Sequence, residues 1–273
     1  MCPLTVCPPC PINKSGAHFL GESLDDVRQW RSMTPGSPRP RRTHAQARAE
    51  MREGILRLGR EQLETRGAAA LSVREIARGL GVASSAVYRH VSSREELLTL
   101  LVADTYTDLA DRVDAALADI ADSSGNTGNT TPPLPTMAHA VRGWAVANPT
   151  RWALIYGTPV PGYAAPADTT TMPGTRVMGV FLGIVAGGAG SGTPQDDSPS
   201  PSPELTQVLA EGTEELGVVA SPRASADAVL AWSSLIGLIS AEIFGQLGPE
   251  LAALGGELLD RWIADTTRRF GLG

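Results

Sequence analysis

The scarcities of this chain bound it before any motif is read. Cysteine occurs only at Cys2, Cys7 and Cys10 of the 273 residues. A disulfide framework is thereby excluded from the rest of the chain, and Cys-x4-Cys-x2-Cys with His18 fits no familiar zinc spacing. Lys14 is the sole lysine. Gly187 and Gly192-Thr193 stand at P-loop spacing, but the phosphate-gripping lysine is missing and no strand precedes them, which removes nucleotide binding. No apolar run is long enough to span a bilayer: Ala228 to Ala241 is interrupted by Ser233, Ser234 and Ser240 and ended by Glu242. The N-terminus carries no signal-like apolar segment, so the expected location is the cytoplasm, with no membrane partner. There is no Glu-x-x-His, and no nucleophile–base pairing; His139 stands alone. A helical-bundle enzyme, weighed as an alternative, therefore has no chemistry to offer, and no metal or cofactor is expected.

What is present is unevenly charged. The net charge is −6, yet Arg39 to Arg94 holds twelve Arg against five Glu, or +7, while Leu101 to Gly273 holds eight Arg against nineteen acids, or −11. Such a division suits a nucleic-acid-contacting segment joined to a domain with another task.

Within the basic segment, Ser72 to Val91 reads as a helix-turn-helix. Ile76, Ala77 and Leu80 recur at helical spacing, and Val82, Ala86, Val87 and Val91 resume it one turn later. Gly81 falls where a tight interhelical turn calls for positive φ. Ser72 with Glu75 three residues on predicts a capping box, and the helix start offers free amides to a phosphate beside Arg74. Ser84 and Ser85 open the second helix, where they can cap amides or meet phosphates and base edges. With Arg89 they are the candidates for base readout, Arg89 being suited to guanine O6 and N7. Arg39, Arg41 and Arg42 form a basic arm ahead of the first helix, able to meet phosphates or enter a minor groove. Spacing alone is equally compatible with an ordinary αα-hairpin.

The continuation Tyr88-Arg89-His90-Val91-Ser92-Ser93-Arg94-Glu95-Glu96-Leu97-Leu98 decides the matter, because it resembles the tetracycline-repressor (TetR) family of bacterial regulators. There the recognition helix ends in Tyr-x-His/Tyr-Phe/Val, and after a short turn a helix opens in Lys/Arg-Glu-x-Leu. The resemblance implies phosphate-binding roles for Tyr88, His90 and Arg94 and a long following helix that serves as a switch lever. Asn148 to Pro166 together with Trp232-Ser-Ser-Leu-Ile-Gly-Leu-Ile-Ser-Ala-Glu resembles one C-terminal subfamily named for its Trp-His-Gly-like motif, although the middle residue of that motif is not evident here. Together the resemblances cover most of residues 40 to 271. Met33-Thr-Pro-Gly-Ser-Pro-Arg-Pro-Arg-Arg looks like the ordinary beginning of such a regulator, so residues 1–32 are expected to be an over-extended start.

The expected fold is all-α. Residues 1–38 are a disordered tail, 39–98 a helix-turn-helix DNA-binding domain, and 99–273 a helical regulatory and dimerisation domain with flexible segments near 123–135 and 187–203. Helices are expected from Thr43 or His44 to Arg66, Ser72 to Leu80, Ser84 to His90 and Arg94 to about Asp122. Beyond these come Met137 to Tyr156, broken at Asn148-Pro149, then Thr175 to Ala186, Glu204 to Gly217, Ala224 to Leu247 and Glu250 to Phe270. Tyr163, in a loop stiffened by prolines, is expected to be pinned to the surface.

The sequence predicts a ligand-responsive regulator, a dimer on a pseudo-palindromic operator of double-stranded DNA, released by a small and apolar effector. Trp144, Trp152, Tyr156, Met178 and Phe181 are candidate pocket residues. Trp232, Leu235, Ile239, Ile243, Leu258 and Trp262 are candidates for an isologous four-helix interface. A ligand-independent architectural DNA-binding protein shares the helix-turn-helix but has no need of the large acidic second domain.

Overall fold

The computed structural model of the chain describes residues 43–127, 132–188 and 199–272. Arg39, Arg41 and Arg42, the tail and most of the expected 187–203 segment lie outside the described residues. The described elements are helical throughout, and none is a strand.

Helix α1, His44–Arg66, begins on a reciprocal cap. Thr43 Oγ1 accepts from the Gln46 amide at 3.1 Å, and Gln46 Oε1 accepts from the Thr43 amide at 2.9 Å. From Ala47 onward the chain forms one compact unit. A 3-10 turn, Ala68–Ala70, leads into α2 (Val73–Gly79) and α3 (Ser84–Tyr88), and α4 runs from Arg94 to Thr127. The bundle follows as α5 (Pro133–Ala147), α6 (Pro149–Tyr156), α7 (Ala167–Gly188), α8 (Pro203–Glu215), α9 (Pro222–Ile243), α10 (Gly248–Ala252) and α11 (Gly255–Phe270).

Two hydrophobic cores result. The first is built from Ile55, Leu56 and Leu63 of α1, Val73, Ile76 and Ala77 of α2, Val87 of α3, and Leu97, Leu98 and Leu101 of α4. Leucines fill glycine notches where its helices cross. A Cβ on Gly54 would stand 2.7 Å from Leu80 Cδ2, one on Gly79 2.8 Å from Leu58 Cδ1, and one on Gly59 3.0 Å from Leu101 Cδ2. The second core joins Leu109, Ala110 and Val113 of α4 to Met137, Val141, Trp144, Trp152, Phe181, Trp232, Leu235, Ile239 and Leu259. Helix α4 therefore belongs to both, its first turns to one and its middle to the other.

Several boundaries differ from expectation, and proline explains most of them. Helix α4 continues through Thr127 and α5 starts at Pro133, so the predicted flexible stretch 123–135 is helical at both ends. Pro133, Pro203 and Pro222 read as loop residues in sequence, but each occupies a first helical position, where its missing N–H costs nothing. Ser202 and Ser221 cap the latter two helices. Helix α7 starts at Ala167, eight residues before its predicted start, and passes through Pro173. An interior proline removes one backbone bond; at the next residue, Gly174, a Cβ would lie 3.3 Å from the Tyr106 ring, so this turn packs closely on α4. The recognition helix is shorter than predicted and ends at Tyr88, with Arg89 at its C-cap. The last predicted helix is two, α10 and α11. Gly255, at the start of α11, lies under Glu242, whose carboxylate a Cβ there would meet at 2.3 Å.

Helix α9, expected over Ala224 to Leu247, runs Pro222–Ile243, and although its Ala228 to Ala241 run reads as too short to span a bilayer, the 22-residue helix is by length and composition long and apolar enough to cross a membrane. In the bundle its Ala228, Ala231, Trp232, Leu235 and Ile239 are buried. Its Glu242 is held by Arg142 of α5 in a two-pronged bond at 2.8 and 2.5 Å.

Candidate nucleic-acid interface

The turn between α2 and α3 is built as the sequence requires. Gly81 has φ +67°. The Val82 amide donates to Ala77 O at 3.1 Å and the Gly81 amide to Arg78 O at 3.1 Å, the paired bonds of a Schellman end. No atom lies within 4 Å of a Cβ built on Gly81, so the demand for glycine is conformational and not steric. Val87 is buried under α3, which leaves Ser85, Tyr88 and Arg89 exposed and Ser84 and His90 half-buried. The N-cap of α3 is Ala83 with no side-chain bond, so neither serine is spent on capping. Their hydroxyls, the Tyr88 phenol and the Arg89 guanidinium have no protein partner among the described residues. Arg74 is exposed in the first turn of α2, and Arg78, which the sequence reading passed over, is exposed one turn later on the same face. Spacing of i to i+4 was the available signal.

Two expected contacts are otherwise engaged. Ser72 caps α2, accepting from the Glu75 amide at 3.4 Å, but the reciprocal half of the capping box is supplied from α1. Gln62 Oε1 accepts from the Ser72 amide at 2.8 Å, and Gln62 Nε2 donates to Ser72 O at 3.4 Å. Glu75 instead pairs with Arg66 at 2.6 Å. Ser72 thus has its amide and carbonyl bonded inside the protein and its hydroxyl oxygen accepting from the Glu75 amide, which leaves the O–H as its donor toward a phosphate. Arg94, expected at a phosphate, turns inward: its Nη2 donates to Ala68 O at 2.9 Å and closes the 3-10 turn onto α4. Sequence gives no sign of either partner, because Gln62 and Ala68 are brought there by the fold.

At the head of α4, Ser93 Oγ accepts from the Glu96 amide at 3.1 Å, and Glu96 reaches back to the Ser92 amide and hydroxyl, both at 2.6 Å. These bonds hold the Glu96 carboxyl below its ordinary range.

The five expected pocket residues are committed to packing. Trp152 and Phe181 are fully buried, Trp144 nearly so, and Tyr156 and Met178 pack against the same core. The Trp152 and Tyr156 rings lie 4.5 Å apart, and burial pushes the Tyr156 phenol above its ordinary value. A groove of about 460 Å³ opens between α4 (Leu98, Val102, Tyr106), the end of α6 (Leu154, Ile155), the loop from Gly157 to Ala165, and α7 (Thr170, Gly174). Its lining carries hydroxyls, aliphatic groups and the Tyr106 and Tyr163 rings, and no charge. Leu154, Val160 and Tyr163 also pack on the first core, and the Tyr163 hydroxyl sits 3.0 Å from Thr99 Oγ1 of α4, so the loop is pinned as expected.

Three of the six expected interface residues are likewise turned inward. Trp232, Leu235 and Ile239 are buried within the subunit, whereas Ile243, Leu258 and Trp262 are half-buried. An apolar stripe shows that a helix face is covered, not whether the cover is its own chain or a second copy. The solvent side of α9 instead shows Leu230, Ser233, Ser234 and Gly237, followed just past its end by Phe244.

Comparison with known proteins agrees with this geometry. Residues 55–101 match the family of bacterial regulatory proteins of the tetR family, and residues 134–266 match the tetracyclin repressor-like C-terminal domain. HTH-type transcriptional regulators of Mycobacterium tuberculosis and Mycobacterium bovis are 46% identical over 215 residues, covering 78% of this chain and 89% of theirs. Among solved structures, SCO4313, described as a regulatory protein, superposes with a TM-score of 0.62 at 31% identity, covering 82% of this chain and 98% of that one. A Rhodococcus protein of unknown function shares the fold, with a TM-score of 0.53 at 20% identity over 79% of this chain and 94% of its own. A helix-turn-helix with an open polar face, a long shared helix and an all-helical second core thus place the chain in the TetR family of DNA-binding transcriptional regulators, and it is not an enzyme.

Proposed function

We propose that this regulator is a repressor that grips a two-fold operator as a homodimer in the cytoplasm and is released when a small neutral molecule binds. The observation that carries the DNA half is the open face of α3. Ser84, Ser85 and Arg89 read base edges there, while Tyr88, His90 and Arg74 meet phosphate, joined by Arg41 and Arg42 of the preceding arm. Residues 39–98 form the reading domain and 99–273 the regulatory one, with α4 common to both. One reading domain buries too little surface for tight specific binding, so a two-fold protein on a two-fold site is required. The solvent side of α9, with Leu230 and Phe244, and the half-buried Ile243, Leu258 and Trp262 supply the surface for the second copy. The effector enters the uncharged groove between α4, α6 and α7, which touches Leu98 and Val102 of the helix that both cores share. An effector preferring the released arrangement about 100-fold contributes roughly 2.7 kcal/mol to the shift.

The test is selection of bound sequences from random duplex DNA by the wild type and by Arg89→Ala. The variant is expected to lose about 1–3 kcal/mol and to relax preference at one base pair per half-site. An unchanged consensus removes Arg89 from base readout.

A further inference from the structure

Between its two cores, α4 carries a polar band at Asp104, Thr105 and Asp108, and four helices are tied together there. Arg60 of α1 holds Asp104 with two prongs, Nε to Oδ2 at 2.8 Å and Nη2 to Oδ1 at 2.6 Å. Arg151 of α6, buried, donates Nη1 to Asp108 Oδ2 at 2.8 Å and Nη2 to Asp104 Oδ2 at 3.5 Å. Trp144 of α5 donates its indole N–H to the same Asp108 oxygen at 2.8 Å, and its ring lies 5.3 Å from the Arg151 guanidinium carbon. Two carboxylates one turn apart would disfavour α4 by themselves. Here each is matched by a cation from a different helix. A single oxygen, Asp104 Oδ2, receives one N–H from the reading domain and one from the bundle.

We infer that Asp104 is a positioning residue: by sharing its carboxylate between Arg60 and Arg151, it fixes the angle at which the reading domain is carried on the bundle. The contact that α6 makes is the weaker of the two. Arg151 Nε is buried without a hydrogen bond, so this guanidinium is held by its Nη groups alone, whereas Arg60 has a full fork. A small displacement of α6 therefore changes what is offered to Asp104 before it disturbs either core. The Tyr163–Thr99 contact and the Tyr106 hydroxyl, 3.4 Å from Ile155 O, brace the same joint through neutral groups. Asp104 has a side-chain exposure of 15% and Arg151 of 9%, which shields this link from salt. The inference depends on the DNA-binding reading only for its consequence, since its test needs no DNA.

The experiment places spin labels at Ser85→Cys on the reading domain and Ala264→Cys on α11, with Cys2, Cys7 and Cys10 changed to serine and labelled protein diluted in unlabelled. The label-to-label distance distribution is measured alongside thermal unfolding. The parent is expected to show one narrow population, and Asp104→Asn to lose it while remaining folded. Made in an Asp108→Asn background, which removes the other carboxylate that Arg151 holds, Arg60→Gln and Arg151→Gln should each broaden the distribution, and the double variant no more than the worse single, because both then act through Asp104. Arg60→Lys, which keeps the charge but not the fork, should fall between. Unchanged distances with lowered stability would make the cluster a brace only and overturn the inference, as would additive broadening in the double variant. Should Asp104→Asn not fold, the Arg60 and Arg151 pair decides the question by itself.

Discussion

Replacing Arg94 separates two roles that the sequence cannot tell apart. At a phosphate, it would contribute to binding of every duplex alike, and Arg94→Ala would reduce the salt slope by about one. In the structure its guanidinium donates to Ala68 O at 2.9 Å, and its side chain is 33% exposed. A charge-assisted bond of this kind is worth about 1.5–3 kcal/mol when fully enclosed, and partial exposure lowers that toward about 1 kcal/mol. Removing a cation from the first turn of α4 returns a few tenths of a kcal/mol, because the helix dipole disfavours positive charge there. Arg94→Ala is therefore expected to destabilise by about 1 kcal/mol, lowering a urea midpoint by roughly half a molar at ordinary slopes. Arg94→Lys, which keeps the charge without the planar fork, should recover about half of it. Urea titration and salt-dependent binding of the same variants form the assay. A salt slope reduced by about one with an unchanged urea midpoint would refute the inward assignment and restore the phosphate role.

Four further substitutions have expected outcomes. Gly81→Ala should cost about 1 kcal/mol through its positive φ alone. Gly54→Ala, in a helix and facing only the movable end of Leu80, should be close to neutral as gained propensity offsets the contact; equal losses in urea titration would contradict this. Trp152→Ala, at a fully buried site, should cost about 3–5 kcal/mol in the second core. Its hydrogen exchange should show the loss in α5, α6 and α9, and protection there equal to the parent would count against it. Glu96 has a depressed folded pKa, so the stability it supplies is complete above its unfolded value of about 4.3 and is lost as pH falls through the folded one. Glu96→Gln should flatten that acid limb in urea midpoints measured from about pH 6 downward, and an unaltered limb would show that other carboxylates set it.

The local features of the reading domain were legible because they depend on short spacings. The positive φ of Gly81, the inward Val87 and the cap at Ser72 each follow from residues within a turn or two. Partners brought from elsewhere in the fold were not. Gln62 at Ser72, Ala68 at Arg94, and Arg142 at Glu242 across 100 residues leave no trace in any window of sequence. Proline misled at helix starts, where Pro133, Pro203 and Pro222 look like breakers and act as first residues. Apolar periodicity identified α9 correctly but not what covers it, so Trp232, Leu235 and Ile239 were expected at an interface and are found inside. The aromatic candidates for a pocket pack in or against the second core, since bulky side chains fill space more often than they line it. The groove beside α4 is edged by Leu, Val, Thr and Gly, residue types that attract no notice in a sequence, together with the rings of Tyr106 and Tyr163.

The most direct measurement is capture of fragments of the native genome by the purified full chain at modest ionic strength, with sequencing of what is held. A two-fold consensus is expected, its half-site centres about 34–36 Å apart along the duplex, one helical turn. Recovery of fragments with no shared sequence would contradict the account of α3 as a reader of DNA.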